Sequence, residues 1–272
     1  MEQAFDLYRD IAERTDGDVY IGVVGPVRTG KSTFITRMME QLVLGAMAPG
    51  PRRDRIADEL PQSGSGKTIM TTQPAFVPSE AVTVSLGDQA TVRVRMVDSV
   101  GYLVDGALGI EEDGAARMVH TPWFDHDIPF EQAAEMGTRK VIAEHATIGL
   151  VVTTDGSVAD LPREAYAQAE ERVVRELKQL GKPFILVLNA REPAAAEAQA
   201  LRERLSERYG VPAVALNARE MSQEDILGVF EQVLFQFPLR EIRLNVPGWL
   251  NALDEDHWLV RHVLDGVRAG AQ

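Results

Sequence analysis

The fold of this chain is decided by the segment Gly25-Pro26-Val27-Arg28-Thr29-Gly30-Lys31-Ser32. The segment matches the pattern G-x-x-x-x-G-K-[ST], follows the β-branched apolar run 18–24 and precedes a helical pattern over 31–44. In this setting the backbone N–H groups of a glycine-rich turn and of a helix N-terminus surround phosphate groups. Residues 25–32, which we call the phosphate cradle, therefore predict a nucleoside triphosphate site at the end of a strand.

Outside the cradle, predicted strands alternate with predicted helices. The strands are expected at 91–97, 148–153, 184–188 and 211–216, and the helices at 162–180, 194–209 and 222–235. This alternation is typical of an α/β fold with a mostly parallel sheet and helices on both faces. Residues 45–78 and 101–137 do not follow the alternation and are interpreted as long connections, the first with a short helix near 52–60.

The sequence pattern changes after Phe237. We expect residues 1–237 to form a P-loop nucleotide-binding domain and residues 238–272 to begin a following region. Within that region, 239–246 is interpreted as an edge strand and 254–267 as an amphipathic helix. The chain ends in Ala-Gly-Ala-Gln, which does not resemble a helix cap, so we expect the following region to be cut short.

The composition excludes several classes of partner and chemistry. The chain has 28 Lys and Arg against 41 Asp and Glu, a net charge of −13, and such a surface repels nucleic acid and anionic lipid. It has no cysteine, which excludes disulfides and thiolate nucleophiles and fits a reducing compartment such as the cytoplasm. No apolar run reaches the roughly 20 residues of a membrane-spanning helix, so we expect no transmembrane segment.

Residues suited to act on a triphosphate follow in order along the chain. Lys31 is expected to bridge the β- and γ-phosphates, and Ser32 to hold Mg²⁺. Thr71 and Thr72 lie between the first helix and the second strand, where hydrolases of this type place a threonine that contacts Mg²⁺ and the γ-phosphate. Asp98-Ser99-Val100-Gly101 resembles the motif D-x-x-G. In that motif the Asp orients a water ligand of the metal ion, and the Gly N–H contacts the γ-phosphate.

These patterns give three sets of candidate residues. The candidate catalytic residues are Lys31, Thr71, Thr72, Asp98 and Arg28. The candidate nucleotide-binding residues are Gly25, Pro26, Val27, Arg28, Thr29, Gly30, Lys31, Ser32, Thr33, Gly101 and Asn189. The candidate ligands of Mg²⁺ are Ser32, Thr71 and Asp98.

Position 102 departs from the usual pattern. A glutamine that positions the attacking water often follows D-x-x-G, but here the residue is Tyr102, which cannot do this in the same way. Hydrolysis therefore requires another group. Arg28, inside the cradle, is a candidate for stabilising negative charge from within the chain, and pairing of Arg28 with a surface carboxylate is the alternative interpretation.

The base-recognition motif of GTPases, N-K-x-D, is altered. After the strand at 184–188 the chain reads Asn189-Ala190-Arg191-Glu192. Asn189 is in place, but Ala190 lacks the lysine stem that covers the base, and Glu192 is longer than the Asp that accepts two hydrogen bonds from guanine. This favours ATP, while Glu192 keeps GTP open as an alternative.

The predicted helix at 162–180 carries a charged triplet, Glu170-Glu171-Arg172. Because Ala169, Val173 and Leu177 mark an apolar stripe, we interpret the triplet as part of the exposed face of the helix.

Several motifs in order resemble those of the stage IV sporulation protein A family, SpoIVA. They are Gly25 to Phe34, Leu60-Pro61-Gln62-Ser63, Gly66 to Thr72, Asp98 to Tyr102, Thr121-Pro122-Trp123 and Gly137-Thr138-Arg139-Lys140. The resemblance runs from the N-terminus to about Trp258. It implies an N-terminal domain with the fold of translation-factor-type (TRAFAC) GTPases that binds and hydrolyses ATP with Mg²⁺, using Lys31, the paired threonines Thr71 and Thr72, and Asp98.

The resemblance also implies a biological role and partners. In the family, turnover drives self-assembly into a static platform under the bacterial spore coat, in the mother-cell cytoplasm at the forespore surface. A small membrane-bound amphipathic peptide and other coat proteins bind mainly through a C-terminal region that lies beyond this chain. Two alternatives stay open: a GTPase of the same fold, and a structural assembly module that holds nucleotide without useful turnover.

Overall fold

The computed structural model describes residues 17–61, 74–86, 90–104, 111–112, 115–121, 124–159, 161–237, 253–254 and 257–270. The chain divides after Phe237 into two compact units, which are described separately.

The first unit is built on a six-stranded sheet. The strands are β1 (Asp18–Val24), β2 (Ala75–Leu86), β3 (Ala90–Asp98), β4 (Ile148–Thr154), β5 (Phe184–Asn189) and β6 (Ala213–Leu216). They lie in the order β6-β5-β4-β1-β3-β2. Neighbouring strands are parallel except β2, which pairs antiparallel with β3. The expectation of a mostly parallel sheet is confirmed.

In the described part of this unit, six helices cover the two faces of the sheet. They are α1 (Lys31–Met39), α2 (Pro51–Asp58), α3 (Phe130–Lys140), α4 (Arg163–Leu180), α5 (Ala196–Tyr209) and α6 (Gln223–Leu234). Single π-helical turns extend α1 through Glu40–Leu44 and α3 through Val141–His145. The helices α4 and α5 end at the predicted glycines, Gly181 and Gly210, both in the left-handed conformation.

Two apolar cores, one on each face, explain why the central strands are apolar throughout. One core joins the sheet to α1, α2 and α6, and includes Ile21, Val23, Phe34, Ile35, Val229 and Phe230. The other joins it to α3, α4 and α5, and includes Val24, Val151, Phe130, Tyr166, Val173 and Leu205. Strands buried on both faces lose the alternation of polar and apolar residues, as β4 does with all seven residues buried.

Two elements lie partly in the stretches interpreted as connections. The strand β2 begins at Ala75, inside the stretch 45–78, and α3 begins at Phe130, inside 101–137. For β2 the prediction was wrong because Pro78 interrupts the pattern. An edge strand tolerates proline, and the register of β2 against β3 shifts between Val77 and Val82. The short helix expected near 52–60 is present as α2.

Glu170 is fully buried, so its interpretation as an exposed residue was wrong. Its carboxylate accepts hydrogen bonds from Thr153 Oγ1 at 2.5 Å, from Arg163 Nη2 at 2.9 Å and from Tyr209 OH at 2.9 Å. A carboxylate can leave water when fixed donors and a cation replace its solvation. Those partners come from β4 and α5 as well as from α4 itself, and a helical periodicity does not reveal them.

In the second unit, helix α7 spans Trp258–Gly270, close to the amphipathic segment predicted at 254–267. The expected edge strand at 239–246 lies outside the described residues. None of the helices in the described ranges is long and apolar enough to cross a membrane.

Candidate nucleotide site

The phosphate cradle lies between the end of β1 and the start of α1, as predicted. Gly25 allows the loop to leave the sheet, because it has a φ of +140° and a Cβ there would lie 2.2 Å from the carbonyl oxygen of Val152. Within the loop, Thr29 Oγ1 donates to the carbonyl oxygen of Pro26 at 3.0 Å. The candidate residues Arg28 and Thr33 lie in the turn, where Arg28 has a φ of +63°, and in the first turn of α1.

The amino group of Lys31 lies inside the cradle. Its Nζ donates to the carbonyl oxygens of Pro26, at 2.8 Å, and Gly25, at 3.5 Å, and the residue is only 6% exposed. Burial lowers the pKa of Lys31 to about 8, while the nearby Asp98 carboxylate opposes that shift. The lysine therefore supplies a cation to a site whose surroundings disfavour an uncompensated positive charge, which suits it to an anionic ligand.

Two of the three candidate metal ligands are in direct contact. Ser32 Oγ donates to Asp98 Oδ2 at 2.7 Å. The other carboxylate oxygen, Asp98 Oδ1, is buried and has no hydrogen-bond partner in the described part of the chain. Burial raises the pKa of Asp98, while Ser32 and Lys31 act against the rise. Mg²⁺ prefers hard oxygen ligands, so a hydroxyl beside a carboxylate with a free buried oxygen fits this ion.

The D-x-x-G segment is joined to the cradle by backbone hydrogen bonds. Val27 N donates to Tyr102 O at 2.8 Å, and Tyr102 N donates to Gly25 O at 3.1 Å. The preceding residue, Gly101, has a φ of +94°, and a Cβ there would lie 2.4 Å from Lys31 Nζ. The backbone of Gly101 thus lies directly against the lysine, where the sequence predicts contact with the terminal phosphate.

Asn189 lies under the cradle and contacts it from the end of β5. Its Nδ2 donates to Thr29 O at 2.9 Å, and its Oδ1 accepts from Ala218 N at 3.0 Å. The next residue, Ala190, is fully buried, and Glu192 is exposed. The side chain of Asn189 therefore fixes the shape of the cradle on the sheet.

The loop that contains Ala218, the residue whose N–H donates to Asn189, was not singled out from the sequence. It follows β6, where Asn217 Nδ2 donates to Arg191 O at 3.1 Å. The signal that could have found this loop is a repeated pentapeptide, Leu-Asn-Ala-Arg-Glu, which occurs at 188–192 and again at 216–220. Because β5 and β6 are parallel neighbours, the two copies meet at one edge of the sheet.

The candidate residues Thr71 and Thr72 lie outside the described residues. The structure therefore brings together Lys31, Ser32, Asp98 and Gly101, with Asn189 beneath them, and leaves the role of the two threonines as a prediction.

Comparison with known proteins identifies the family. The sequence model described as "Stage IV sporulation protein A, ATPase domain" matches residues 1–238. The chain belongs to the stage IV sporulation protein A family. The family resemblance inferred from the motifs is thus confirmed, and the chain carries the ATPase domain of a sporulation protein.

Individual relatives agree with this assignment. Stage IV sporulation protein A of Bacillus subtilis (strain 168) is 51% identical over 263 residues, which are 97% of this chain and 54% of the relative. The protein of the same name in Clostridioides difficile (strain 630) is 53% identical over the same shares. The chain thus spans about half the length of the SpoIVA relatives that it matches.

A more distant similarity links this SpoIVA domain to GTPases. A protein named GTPase Der, from Bifidobacterium longum (strain NCC 2705), is 28% identical over 91 residues, 33% of this chain and 20% of that protein. Together with the parallel sheet and the cradle, this confirms the expected α/β P-loop fold.

Proposed function

We propose that this chain binds and hydrolyses ATP in a Mg²⁺-dependent reaction, and that the turnover drives its assembly with further copies into the basement layer of the spore coat. The observation that carries the proposal is the convergence of Lys31, Gly101 and the pair formed by Ser32 and Asp98 on one cradle. These groups come from two separate parts of the sequence, the cradle and the D-x-x-G segment, and each suits one part of a metal-bound triphosphate.

Ser32 Oγ and the carboxylate of Asp98 are the groups that would hold Mg²⁺. An ion bound there would neutralise phosphate charge and stabilise the negative charge that develops as the terminal phosphoryl group is transferred to water. Lys31 attracts the β- and γ-phosphates, and the Gly101 N–H is the donor for the terminal phosphate. Thr71 and Thr72 are proposed to complete the site on the γ-phosphate side, with Thr71 as a further ligand of Mg²⁺. Arg28 is proposed to stabilise developing charge from inside the cradle.

Adenine is the proposed base because of the residues after β5. A buried alanine at 190 offers no long stem to cover a base, and the exposed Glu192 carries its carboxylate one methylene further out than the aspartate of N-K-x-D. Bidentate recognition of guanine depends on close placement of such an acceptor. A GTPase of the same fold is the alternative that Glu192 supports.

One observation supports a structural module that holds nucleotide without useful turnover. The side chain of Tyr102 is fully buried and its hydroxyl donates to Glu176 on α4, so this residue offers no group to an attacking water. A hydrolase would need another group to position the attacking water, whereas a module that only holds nucleotide needs no such group.

The proposed partners follow from the family and from charge. The main partner is a further copy of this chain. A small membrane-bound amphipathic peptide and other coat proteins are proposed for the longer protein, in the mother-cell cytoplasm at the forespore surface. Nucleic acid is not proposed, because a chain with a net charge of −13 repels phosphate backbones.

The test is release of phosphate from ATP and from GTP with Mg²⁺, combined with sedimentation of assembled protein. We expect faster release from ATP, displacement of a labelled ATP analogue by ATP better than by GTP, and assembly that requires turnover. Tenfold preference for GTP would replace ATP by the alternative substrate. Assembly with bound nucleotide but without phosphate release would favour the structural module.

A further inference from the structure

Tyr102 connects the phosphate cradle to helix α4. Its backbone pairs with both ends of the Gly25-Pro26-Val27 segment, through Tyr102 N to Gly25 O at 3.1 Å and Val27 N to Tyr102 O at 2.8 Å. Its side chain is buried in the core beside α4, where the hydroxyl donates to Glu176 Oε2. Tyr102 therefore links α4 to the backbone of the cradle through hydrogen bonds at both ends of the residue.

An ion pair also lies beside the ring of Tyr102. Arg172 lies one helical turn before Glu176, and its guanidinium is 5.6 Å from the centre of the tyrosine ring. The same guanidinium forms an ion pair with Glu135 of α3. Burial and the Glu176 carboxylate raise the pKa of Tyr102, so its hydroxyl remains a donor at all physiological pH values.

The residue just before Tyr102 is the one that meets the phosphate in the proposed function. A Cβ at Gly101 would lie 2.4 Å from Lys31 Nζ and 2.6 Å from Gly25 O. The backbone of Gly101 thus lies close to both groups, with no space for a side chain at this position. The hydrogen bonds of Tyr102 restrain this backbone beside the cradle.

We propose that Tyr102 is a positioning residue for ATP hydrolysis, which acts through its bond to Glu176 to hold the Gly101 N–H at a fixed place beside Lys31. The proposal rests on the proposed function. Tyr102 stands where a glutamine often positions the attacking water. In this role it supports the reaction without contacting water or substrate. Misplacement of a reacting group by about 1 Å can reduce a rate by about a hundredfold, so a loss of this restraint affects the rate more than the binding.

The chain contains a matched control for this bond. Tyr209, at the end of α5, donates its hydroxyl to Glu170 of α4 at 2.9 Å, and burial beside that carboxylate also raises its pKa. Tyr102 and Tyr209 thus form the same kind of bond with the same helix. Of the two, Tyr102 is the one whose backbone pairs with the cradle.

The experiment compares Tyr102→Phe with Tyr209→Phe in the whole chain, by steady-state ATP hydrolysis, affinity for ADP and urea unfolding. We expect kcat to fall about tenfold in Tyr102→Phe, with KM and ADP affinity within about twofold of the unsubstituted chain. In Tyr209→Phe we expect kcat to be unchanged although stability also falls. Equal kcat values in the two variants, whether both lowered or both normal, would overturn the proposal.

Substitution of the partner gives an independent measurement that does not depend on the folding of Tyr102→Phe. Glu176→Gln keeps an acceptor for the phenol and should retain kcat within about threefold, whereas Glu176→Ala should reproduce the tenfold loss. Similar kcat values for these two variants would overturn the proposal. If the unsubstituted chain releases no phosphate, the proposed function fails and this proposal fails with it, whereas normal turnover in both Tyr102→Phe and Glu176→Ala rejects the positioning role alone.

Discussion

Ser32 Oγ donates a 2.7 Å hydrogen bond to Asp98 Oδ2, which joins the first turn of α1 to the last residue of β3 across 66 positions of sequence. The bond leaves Asp98 Oδ1 buried without a partner in the described part of the chain. A buried carboxylate oxygen without a donor is costly, and a bound cation removes that cost. Substitution of Asp98, the partner of Ser32, is therefore the most direct test of whether the site depends on a metal ion.

Asp98→Asn should weaken the use of Mg²⁺. We expect the Mg²⁺ concentration for half-maximal ATP hydrolysis to rise at least tenfold, because an amide oxygen carries no net charge for the ion. The measurement is phosphate release over a Mg²⁺ titration. Asp155→Asn is the matched control, since Asp155 also accepts a hydrogen bond from a serine, Ser157 Oγ at 2.6 Å. Equal Mg²⁺ requirements for the two variants would contradict the assignment of Asp98.

Lys31→Ala should weaken nucleotide binding at least tenfold, about 1.4 kcal/mol, because Lys31 supplies positive charge to phosphates that the net charge of −13 repels. Isothermal titration with ADP and with inorganic tripolyphosphate measures the loss, and both ligands should be affected. The control is Lys182→Ala, which removes another lysine that donates to a backbone carbonyl, Ala146 O at 2.9 Å. Unchanged affinity in a folded Lys31→Ala variant would reject the cradle.

The pKa of Lys31 gives a pH dependence of stability without nucleotide. The pKa is about 8 in the folded chain and 10.5 in the ordinary, solvated state, so between these values the unfolded state binds the additional proton. The contribution of Lys31 to the free energy of unfolding therefore rises with pH from about 8 to 10.5, and it is lost as the pH falls back through 8. The shift corresponds to about 3 kcal/mol.

Urea unfolding of the unsubstituted chain and of Lys31→Met, in the presence of a chelator, measures this contribution. Between pH 8 and 10.5, the free energy of unfolding of the unsubstituted chain should rise relative to that of Lys31→Met. The titration of all other groups affects both chains alike and cancels in this difference. A constant difference would show that Lys31 is not desolvated in the folded chain.

Local patterns allowed much of the fold and part of the site to be predicted. The cradle follows from eight consecutive residues, and the parallel sheet follows from apolar runs separated by helices that end at Gly181 and Gly210. The proximity of Ser32 and Asp98 also follows, because both lie at the carboxyl edge of neighbouring parallel strands or directly after it.

The remaining features depend on partners that are distant in sequence. Glu170 is buried because Thr153 and Tyr209 donate to it, and the bond of Tyr102 to Glu176 spans 74 positions. Neither partner leaves a periodic signal in the helix that carries the glutamates. The strand β2 was missed for a different reason, since Pro78 is read as a strand breaker unless the strand is known to lie at an edge.

Thr71 and Thr72 provide the test that separates binding from hydrolysis. By their position between the first helix and the second strand, they are predicted to contact the γ-phosphate and Mg²⁺ only when ATP is bound. Replacement of both by alanine should leave ATP binding largely intact, because the cradle supplies most of the binding free energy. Hydrolysis should fall by about two orders of magnitude, roughly 2.7 kcal/mol of transition-state stabilisation.

The double variant is compared with Lys31→Ala and with Thr68→Ala, a threonine-to-alanine change in the same stretch of sequence. Lys31→Ala should lose both binding and hydrolysis, and Thr68→Ala should lose neither, so that the double variant alone separates the two. ATP affinity is measured by titration with a slowly hydrolysed analogue, and hydrolysis by phosphate release at saturating ATP. Equal losses of affinity in the double variant and in Lys31→Ala would place the threonines in the ground-state site. Normal turnover in the double variant would exclude them from the reaction and leave Arg28, whose backbone lies in the left-handed region within the cradle, as the next candidate for stabilising the transferred phosphate.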